Sequence, residues 1–382
     1  MTKKIYDYKS NEFEFEAVVE KCKKNDKGNF EIVLDKTAFF PGGGGQEADT
    51  GEINSNKLID IYEKNNEIYH VLSCGFSVGE KVKGKLNGEK RLKNMQSHSA
   101  EHIVSGIIHN LYGYENVGFH MGADCVTMDV DGRIHDEDLK KIEMLSNEAI
   151  WKNIAFKVYY PNPQELSKIE YRSKLDLKEN VRIVEIEGYD KCACCAPHVE
   201  YSGQIGVIKL LDLAHINNKT RIRMLGGHYA VKDYFEKSQC VHKISVLLSA
   251  NKNDVYKSVE KLYNDFENKK YEYVGLKRQL FDIKYKNIVN DKNIIVFEEN
   301  CDMNELIYIL NLLKENNSGI CGVFCGDDIK GYNYAVGSNT VDINDVKEEF
   351  LKSLNAKGGG TSQLIQGFCK TYKKNIDNFF LK

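Results

Sequence analysis

The stretch of sequence that decides the fold is Asn94-Met-Gln-Ser-His-Ser-Ala-Glu-His-Ile-Val-Ser-Gly-Ile-Ile-His-Asn110, which we interpret as a helix. Within it His98 and His102 are four residues apart, so both imidazoles would project from the same helix face. Two nitrogen ligands at this spacing suit a tetrahedral metal ion. One pair is a weak signal by itself, because most of the ten histidines in the chain are expected to be surface or core residues.

A second pair of metal-binding residue types lies in Cys192-Ala-Cys-Cys-Ala-Pro-His198, where Cys194 and His198 are again four residues apart. Three imidazoles and one thiolate form a ligand set that suits zinc in softness and geometry. Cys192 and Cys195 are alternatives for the thiolate, and only the spacing to His198 favours Cys194. The predicted zinc ligands are His98, His102, Cys194 and His198.

The spacing leaves the role of the metal open. Four protein ligands are typical of a closed, structural zinc, whereas hydrolysis requires an open coordination position. Glu101 directly precedes His102 instead of following His98, so the helix does not carry the His-Glu-x-x-His motif of metalloproteases. Peptidase chemistry is therefore not indicated.

Composition restricts the kind of protein further. A length of 382 residues predicts two or three domains, and eleven cysteines in such a chain do not form a disulfide scaffold. A net charge of -3 gives no global basic field, so a nucleic acid would have to be bound by local patches. No apolar run approaches a membrane span, and the N-terminus lacks the apolar centre of a signal peptide. We therefore expect a cytoplasmic protein without a membrane partner.

Residues 1–90 predict mostly β-structure. Apolar and polar residues alternate in 29–35, in 67–72 and in 81–86, and turn-forming residues separate these segments. Short strands at this spacing predict a small barrel or sandwich. Within it, Thr37-Ala-Phe-Phe-Pro-Gly-Gly-Gly-Gly-Gln-Glu-Ala-Asp-Thr-Gly51 contains four consecutive glycines, which let the backbone approach another group closely or adopt positive φ. A flexible hairpin tip is the alternative.

The rest of the chain divides into three further segments. Residues 91–240 combine the histidine helix and a helix over 136–151 with several strands, which predicts an α+β metal-binding domain. Residues 241–288 carry apolar residues at steps of three and four, which predicts a long helix, an antiparallel helix pair or a dimerising coiled coil. Residues 289–382 predict a separate α/β domain, in which Lys357-Gly-Gly-Gly360 precedes a predicted helix start and could bind an anion. The predicted fold class is α+β.

Together, these motifs resemble the editing domain of alanyl-tRNA synthetase and its free-standing relatives, the AlaX trans-editing proteins. The resemblance is carried by His98-x-x-x-His102, by Cys194-x-x-x-His198 and by Thr37…Gly44-Gly45-Gln46…Asp49-x-Gly51. The long helix and the last domain resemble the oligomerising, tRNA-binding DHHA1 region of the synthetase. One departure is Cys195-Ala-Pro197, which stands where the family usually has Gly-Gly-Thr.

The resemblance implies a zinc-dependent deacylase that removes serine or glycine from mischarged tRNA(Ala). It also implies that the DHHA1-like domain binds tRNA and forms a homodimer together with the long helix. The residues implied to act on the substrate are Thr37 and Gln46 in the catalytic pocket, with Thr37 contacting the serine hydroxyl, and the substrate-binding residues Gly44, Gly45 and Asp49. The residues implied to contact tRNA are Lys357, Gly358, Gly359 and Gly360.

Two other interpretations are compatible with the same sequence. In the first, the protein is a non-catalytic RNA-binding or dimerisation protein whose zinc is structural. In the second, it is an editing deacylase for another tRNA, because threonyl-tRNA synthetase has a related editing domain of the zinc type. The glycine-rich motif and the C-terminal domain favour the alanine system. The sequence does not decide between serine and glycine.

Overall fold

A computed structural model of the chain describes residues 1–122, 125–173, 181–290 and 292–380. The chain forms two compact units, Met1–Lys243 and Ile244–Lys382. Both units combine helices with sheets, which confirms the predicted α+β class in its coarse form. None of the helices in the described part of the chain is both long enough and apolar enough to cross a membrane.

The first unit begins with a curled sheet of seven antiparallel strands. Its strands follow the order β6-β5-β9-β2-β3-β8-β7, and β1 pairs separately with β4. The strands are β1 (Lys3–Lys4), β2 (Glu14–Lys24), β3 (Phe30–Leu34), β4 (Lys36–Thr37), β5 (Gly51–Ile53), β6 (Asn56–Lys57), β7 (Asp60–Lys64), β8 (Glu67–Leu72) and β9 (Lys81–Leu86). The first half of β2 pairs with β9 and the second half with β3, and a register shift between Val19 and Lys21 bends the sheet at this point. Strands β6 and β7 are the two edges of this sheet, and they do not pair with each other in the described part of the chain. Closure of the sheet into a barrel is therefore not confirmed.

Helix α1 (Gly88–Tyr112) is the predicted histidine helix. It begins where the Asn87 side chain accepts a hydrogen bond from the Lys90 N–H, and it ends at Gly113, whose φ of 71° allows the left-handed cap. Almost every residue from Asn94 to Ile108 is buried, because α1 packs on both a sheet and a second helix. The histidines therefore face the interior of the unit.

Two further sheets and three helices complete the first unit. The order of one sheet is β10-β11-β16-β15 and that of the other is β12-β13-β14. The elements are β10 (Asn116–Met121), β11 (Val126–Val130), α2 (Asp136–Trp151), β12 (Phe156–Tyr159), α3 (Pro163–Leu166), β13 (Ile183–Ile186), β14 (Asp190–Ala193), β15 (Ile208–Ile216), β16 (Lys219–Gly226) and α4 (His228–Leu247). The prediction of a helix over 136–151 is confirmed. The sequence interpretation missed β10 and β14, because neither segment alternates apolar with polar residues in a regular way.

The β13–β14 hairpin approaches α1 closely at Gly106. A Cβ atom at Gly106 would collide with the carbonyl oxygen of Tyr189, which lies in the turn of this hairpin. The absence of a side chain thus allows β14 and the cysteine-containing loop after it to lie against the histidine helix.

The second unit is built on one mixed sheet. Its strand order is β17-β18-β19-β21-β20, in which only β17 and β18 are parallel. The elements are α5 (Val255–Tyr285), β17 (Ile294–Glu298), α6 (Met303–Glu315), β18 (Cys321–Asp327), β19 (Gly331–Gly337), α7 (Asn344–Ser353), β20 (Ala356–Thr361), β21 (Leu364–Cys369) and α8 (Lys373–Phe380). The predicted α/β character of this part of the chain is confirmed.

The long helix predicted within residues 241–288 is present as α5 but starts later than predicted, and the prediction for the glycine run is wrong. The helical pattern does not run unbroken from residue 241, because α4 ends at Leu247, Ser249 adopts a φ of 50° and the next long helix starts at Val255. Lys357, Gly358, Gly359 and Gly360 do not precede a helix. They lie in β20 at the edge of the sheet, where a Cβ atom at Gly358 would overlap the carbonyl of Gln366 in β21.

A buried ion pair joins the N-terminal sheet to the start of α1. The Arg91 side chain is fully buried, and its Nε lies 3.0 Å from both carboxylate oxygens of Asp49. The same guanidinium donates to the carbonyl oxygens of Ala38, at 2.6 Å, and Ser10, at 3.0 Å. Asp49 also accepts the Phe40 N–H at 2.7 Å. These bonds compensate both buried charges. Asp49, which was predicted to bind substrate, is thus 4% exposed and held by Arg91, a position that serves the fold.

Removing one partner of this ion pair should destabilise the first unit strongly. For Asp49→Ala we expect the free energy of unfolding to fall by about 3–5 kcal/mol, because Arg91 would keep a buried, unpaired charge. Urea unfolding followed by circular dichroism measures the change. The control is Asp212→Asn, which affects an exposed carboxylate paired with Arg223 and should change stability by less than about 1 kcal/mol. Equal stability of the two variants would contradict the assignment.

Candidate metal centre

The four predicted metal ligands meet at one place in the first unit. His98 and His102 come from α1, and Cys194 and His198 come from the loop after β14. The ligand atoms of all four lie within 4.8 Å of one another. The three histidines are buried and Cys194 is half-buried. The structure thus brings together the four residues that the spacing singled out.

The distances fit a tetrahedral metal ion. Cys194 Sγ lies 3.3 Å from His198 Nε2 and 3.7 Å from His98 Nε2. Around a zinc ion with its usual bond lengths, a sulfur and a nitrogen ligand are about 3.6 Å apart. Cys195 is solvent-exposed, and Cys192 groups with His102 and Asp190 instead of with the other two histidines. Of the three cysteines, Cys194 is therefore the one placed as a ligand to the whole set.

Each histidine has a hydrogen-bond partner for its other ring nitrogen. The Nδ1 atom of His98 lies 3.1 Å from Gln46 Oε1, and that of His102 lies 2.8 Å from Asp190 Oδ2. The Nδ1 atom of His198 lies 3.1 Å from the hydroxyl of Ser99. With Nδ1–H donated to these partners, every Nε2 lone pair is left for the shared centre. Such outer partners are typical of histidines that bind metal.

The electrostatics of the cluster favour a thiolate. Burial alone would raise the pKa of Cys194, but the neighbouring imidazoles of His98 and His198 hold it well below its usual value. Burial lowers the pKa of His198 to about 3, whereas the burial of His102 is outweighed by hydrogen bonds to Asp190 and Cys194, which raise the pKa of His102 well above its usual value. A thiolate at Cys194 is the protonation state that a metal ligand needs.

A second polar network holds His102. Burial would raise the pKa of Asp190, yet hydrogen bonding to His102 and the charge of Arg172 lower it, so the carboxylate stays ionised. Arg172 Nε donates to Asp190 at 2.8 Å, and its Nη2 donates to the Ser105 hydroxyl at 2.7 Å. The loop that carries Cys194 is held similarly, because Arg182 Nη1 donates to the carbonyls of Cys194 and Ala196 at 2.8 and 2.9 Å.

The cluster lies at the wall of a large cleft. The cleft has a volume of about 1670 Å³, and Gly44, Gly45 and Phe119 line it next to His98. Phe119 stacks on the His98 ring with 4.8 Å between centroids. A Cβ atom at Gly45, whose φ is 84°, would overlap the Phe119 ring. The glycine turn is therefore required where the backbone passes over the His98 side of the histidine–cysteine cluster.

The remaining predicted residues divide into two groups. Gly44 and Gly45 line the cleft as predicted, but Thr37 does not, because it is fully buried and its hydroxyl bonds to His70 Nε2 at 2.9 Å. Gln46 is buried behind His98 and orients that ring, so it does not line the cleft either. Lys357, Gly358, Gly359 and Gly360 belong to the second unit.

Several residues that shape the site were missed by the sequence interpretation. Asp190 had a usable signal, because positions 190, 192 and 194 alternate and so fall on one face of an extended segment. Ser99 follows a ligand on the same helix but carries no pattern of its own. Glu101 lies within the histidine helix, directly before His102, but was considered only as a metalloprotease residue and set aside. The others come from distant positions without any local signal: Asn116, Arg172 and Arg182.

Comparison with known proteins shows what the chain around this site is similar to. Residues 181–223, which include Cys194 and His198, match the family model described as "Threonyl and Alanyl tRNA synthetase second additional domain". The chain is 28% identical to the alanyl-tRNA editing protein AlaX-L of Pyrococcus horikoshii, over 90% of this chain and 89% of that protein. The resemblance to alanyl-tRNA editing proteins is therefore confirmed over nearly the whole chain.

Alanine–tRNA ligases are similar as well. The ligase of Natronomonas pharaonis is 26% identical over 90% of this chain, and that of Methanopyrus kandleri is 25% identical over 89%. The alignments cover only 39% and 40% of the ligases. The chain thus spans about two fifths of the length of these larger relatives.

Substituting the carboxylate behind His102 should weaken the metal centre without removing a ligand. For Asp190→Asn we expect zinc affinity to fall about 10- to 100-fold, because His102 loses the acceptor that fixes its tautomer. Competition with a chromophoric chelator measures the affinity. Glu185→Gln removes a carboxylate from the neighbouring strand β13, where it pairs with Lys191, and should leave zinc affinity unchanged. An Asp190→Asn protein that is folded and binds zinc as the wild type does would contradict this assignment.

Proposed function

We propose that this protein is an editing deacylase that hydrolyses the ester of Ser-tRNA(Ala), Gly-tRNA(Ala) or both, and that it requires zinc. The observation that carries the proposal is the meeting of three oriented Nε2 atoms and one thiolate beside a glycine-walled cleft. Similarity to a protein named for alanyl-tRNA editing supports the choice of tRNA. The reaction class is hydrolysis of a carboxylic ester.

Such a reaction answers a physical limit on amino-acid selection. A pocket built for alanine cannot strongly exclude glycine, which is smaller, or serine, which adds only one hydroxyl. A second site that accepts the wrong product and hydrolyses its ester provides the missing discrimination. A free-standing editing protein would act on the charged tRNA after its release from the synthetase.

The residues that would hold zinc are His98, His102, Cys194 and His198. When bound, zinc would supply Lewis-acid chemistry, either by lowering the pKa of a water molecule or by polarising a substrate group. Gln46, Asp190 and Ser99 hold the imidazoles in orientation.

The cleft wall would position the substrate. Gly44 and Gly45 offer bare backbone against which the terminal ribose and base of tRNA can lie closely, and Phe119 closes the wall beside His98. Thr37 would contribute indirectly, because its hydroxyl accepts the Phe39 N–H at 3.1 Å in the segment that leads into the glycine turn.

The second unit would bind tRNA and a second copy of the chain. The proposed tRNA contacts are Lys357 and the glycines after it, with phosphate contacts from lysines of α5. Helix α5 also carries apolar side chains that are more than two fifths exposed and that recur at steps of three and four, apart from one step of seven at which Lys269 interrupts the pattern. They are Val259, Leu262, Phe266, Tyr273, Leu276, Leu280 and Ile283. This pattern supports a homodimer through the helix.

Purified protein should release serine or glycine from mischarged tRNA(Ala) and spare alanine. The assay compares seryl-, glycyl- and alanyl-tRNA(Ala) as substrates, with His102→Ala as the test variant. We expect this variant to lose at least about 100-fold in rate together with its zinc, because one of four ligands is gone. His120→Ala, which changes an exposed histidine on β10, is the matched control and should keep both.

The outcomes separate the competing functions. No turnover of any substrate by zinc-loaded protein would favour a structural metal in a binding protein. Turnover of threonyl-tRNA substrates in preference to those of tRNA(Ala) would favour the threonyl alternative.

Deleting the second unit should separate tRNA binding from metal binding. We expect a chain that ends at Lys243 to retain its zinc, because all four ligands belong to the first unit, and to bind tRNA at least about 10-fold more weakly in a salt-dependent manner. Filter binding and metal analysis measure the two properties. Parallel loss of zinc and of tRNA binding would contradict the modular arrangement.

A further inference from the structure

Glu101 is a buried carboxylate on the wall of the cleft. Its side chain is part of α1, three residues after His98 and directly before His102, and only 5% of the residue is exposed. The residue nevertheless lines the cleft, as does Asn116 at the start of β10. One carboxylate oxygen of Glu101 accepts a hydrogen bond from Asn116 Nδ2. Within the described ranges this is its only hydrogen bond, and it has no ion pair.

The other carboxylates that line the cleft either lie near a cationic side chain or are exposed to solvent. Glu115 lies 3.8 Å from Arg172 Nη1 and 2.8 Å from His109 Nδ1, and Glu185 pairs with Lys191 at 3.1 Å. Asp190 forms an ion pair with the Arg172 guanidinium, and Glu170 is exposed to solvent. Glu101 is thus the buried acid of this wall that forms no ion pair among the described residues, although the charges of Arg172 and His102 act on it from a greater distance.

A carboxylate in this position attracts a cation from the cleft. Burying an ionised acid is unfavourable unless hydrogen bonds and an opposite charge compensate for the lost water. Asn116 compensates one oxygen only. The charge of Arg172 acts on Glu101, but its hydrogen bonds go to Asp190 and the Ser105 hydroxyl, and its Nη1 lies 3.8 Å from Glu115. No described residue therefore donates a hydrogen bond to the second oxygen of Glu101.

We propose that Glu101 and Asn116 form an ammonium-binding subsite, which holds the α-ammonium group of the aminoacyl ester. The inference rests on the proposed function and adds the group that orients the substrate. In an aminoacyl ester the ammonium is attached to the carbon next to the ester carbonyl. A contact to Glu101 therefore fixes that carbonyl beside His98 and His102, within one turn of the same helix. Asn116 is a positioning residue that holds the carboxylate toward the cleft.

The subsite makes a chemical prediction that other roles of Glu101 do not. If Glu101 binds the ammonium, a substrate whose amine is acetylated loses the contact. Removing the charge of Glu101 loses the same contact, so the two losses should not add. If a metal holds the amine, or if Glu101 acts as a general base, acetylation and substitution act independently and their effects multiply.

The experiment measures kcat/KM on seryl-tRNA(Ala) and on N-acetylseryl-tRNA(Ala). The proteins are wild type, Glu101→Gln and, as a matched control, Glu115→Gln, which removes a paired carboxylate from the same cleft. For wild type we expect acetylation to lower kcat/KM about 10- to 100-fold, the usual effect of losing a charged hydrogen bond. Glu101→Gln should lower kcat/KM on the free amine by a similar factor, keep its zinc and discriminate less than about threefold between the substrates. Glu115→Gln should discriminate as wild type does.

A binding measurement separates failure of the subsite from failure of the proposed function. The probe is adenosine that carries serine through a non-hydrolysable 3′-amide, with its amine either free or acetylated, and calorimetry gives Kd. If wild type hydrolyses no ester but Glu101→Gln abolishes its preference for the free amine, the editing function is wrong and the subsite stands. If Glu101→Gln keeps the full preference for the free amine in either assay, or if the probe does not bind wild type, the subsite is overturned.

Discussion

The whole site depends on one constraint: ligands almost a hundred residues apart in sequence must meet with their nitrogen lone pairs aimed at a single point. Buried hydrogen bonds to the opposite ring atoms satisfy this constraint. All three of these bonds cross between segments that are distant in sequence: His98 to Gln46, His102 to Asp190 and His198 to Ser99. The same contacts that orient the rings therefore also join the N-terminal sheet and the β13–β14 hairpin to α1. The fold around the centre and the chemistry of the centre rest on the same interactions.

The N-terminal sheet contributes to the site only because it is fixed to the beginning of α1. The Arg91–Asp49 pair lies two turns before His98 on the helix, and Asp49 is three residues after Gln46. Asp49 is fixed by Arg91 and Gln46 is fixed by His98. These two contacts hold the glycine turn, which lies next to Gln46 in sequence, in one position relative to the His98 ring. Burial of a fully paired arginine is weak evidence for extra stability. The role of the Arg91–Asp49 pair is to fix the position of the N-terminal sheet relative to α1.

The sequence predicted those parts of the site that have local periodicity. The four-residue spacing of His98 and His102 is a property of one helix, and the spacing of Cys194 and His198 belongs to one loop, so both pairs could be read from short stretches. Thr37 and Asp49 were assigned to the substrate because the resemblance concerns a motif and does not give the direction of each side chain. Thr37 turns into the sheet toward His70, and Asp49 turns toward Arg91. Arg172 and Asn116 could not be found, since their roles arise only from tertiary contacts.

The same reasoning explains the errors in the second half of the chain. The apolar steps of three and four from Val255 to Ile283 all lie in α5, whereas the predicted start of the helical segment at residue 241 falls in α4, which ends at Leu247. The glycine run was interpreted as a helix start because glycine tolerates many conformations. In the structure glycine is needed instead for close contact between the two strands of a hairpin.

The closed ligand set has a consequence for how a substrate could be handled. Three imidazoles are fixed by their Nδ1 partners, and the backbone around Cys194 is fixed by Arg182, so no ligand of the four is loosely held. A centre of this kind is suited to shaping and polarising its surroundings, whereas orientation of an ester must come from other groups in the cleft. Of the described acids in the cleft close to His98 and His102, Glu101 is buried and forms no ion pair with a protein cation. Its position turns the wall beside a rigid metal centre into a place that selects a positively charged substrate group.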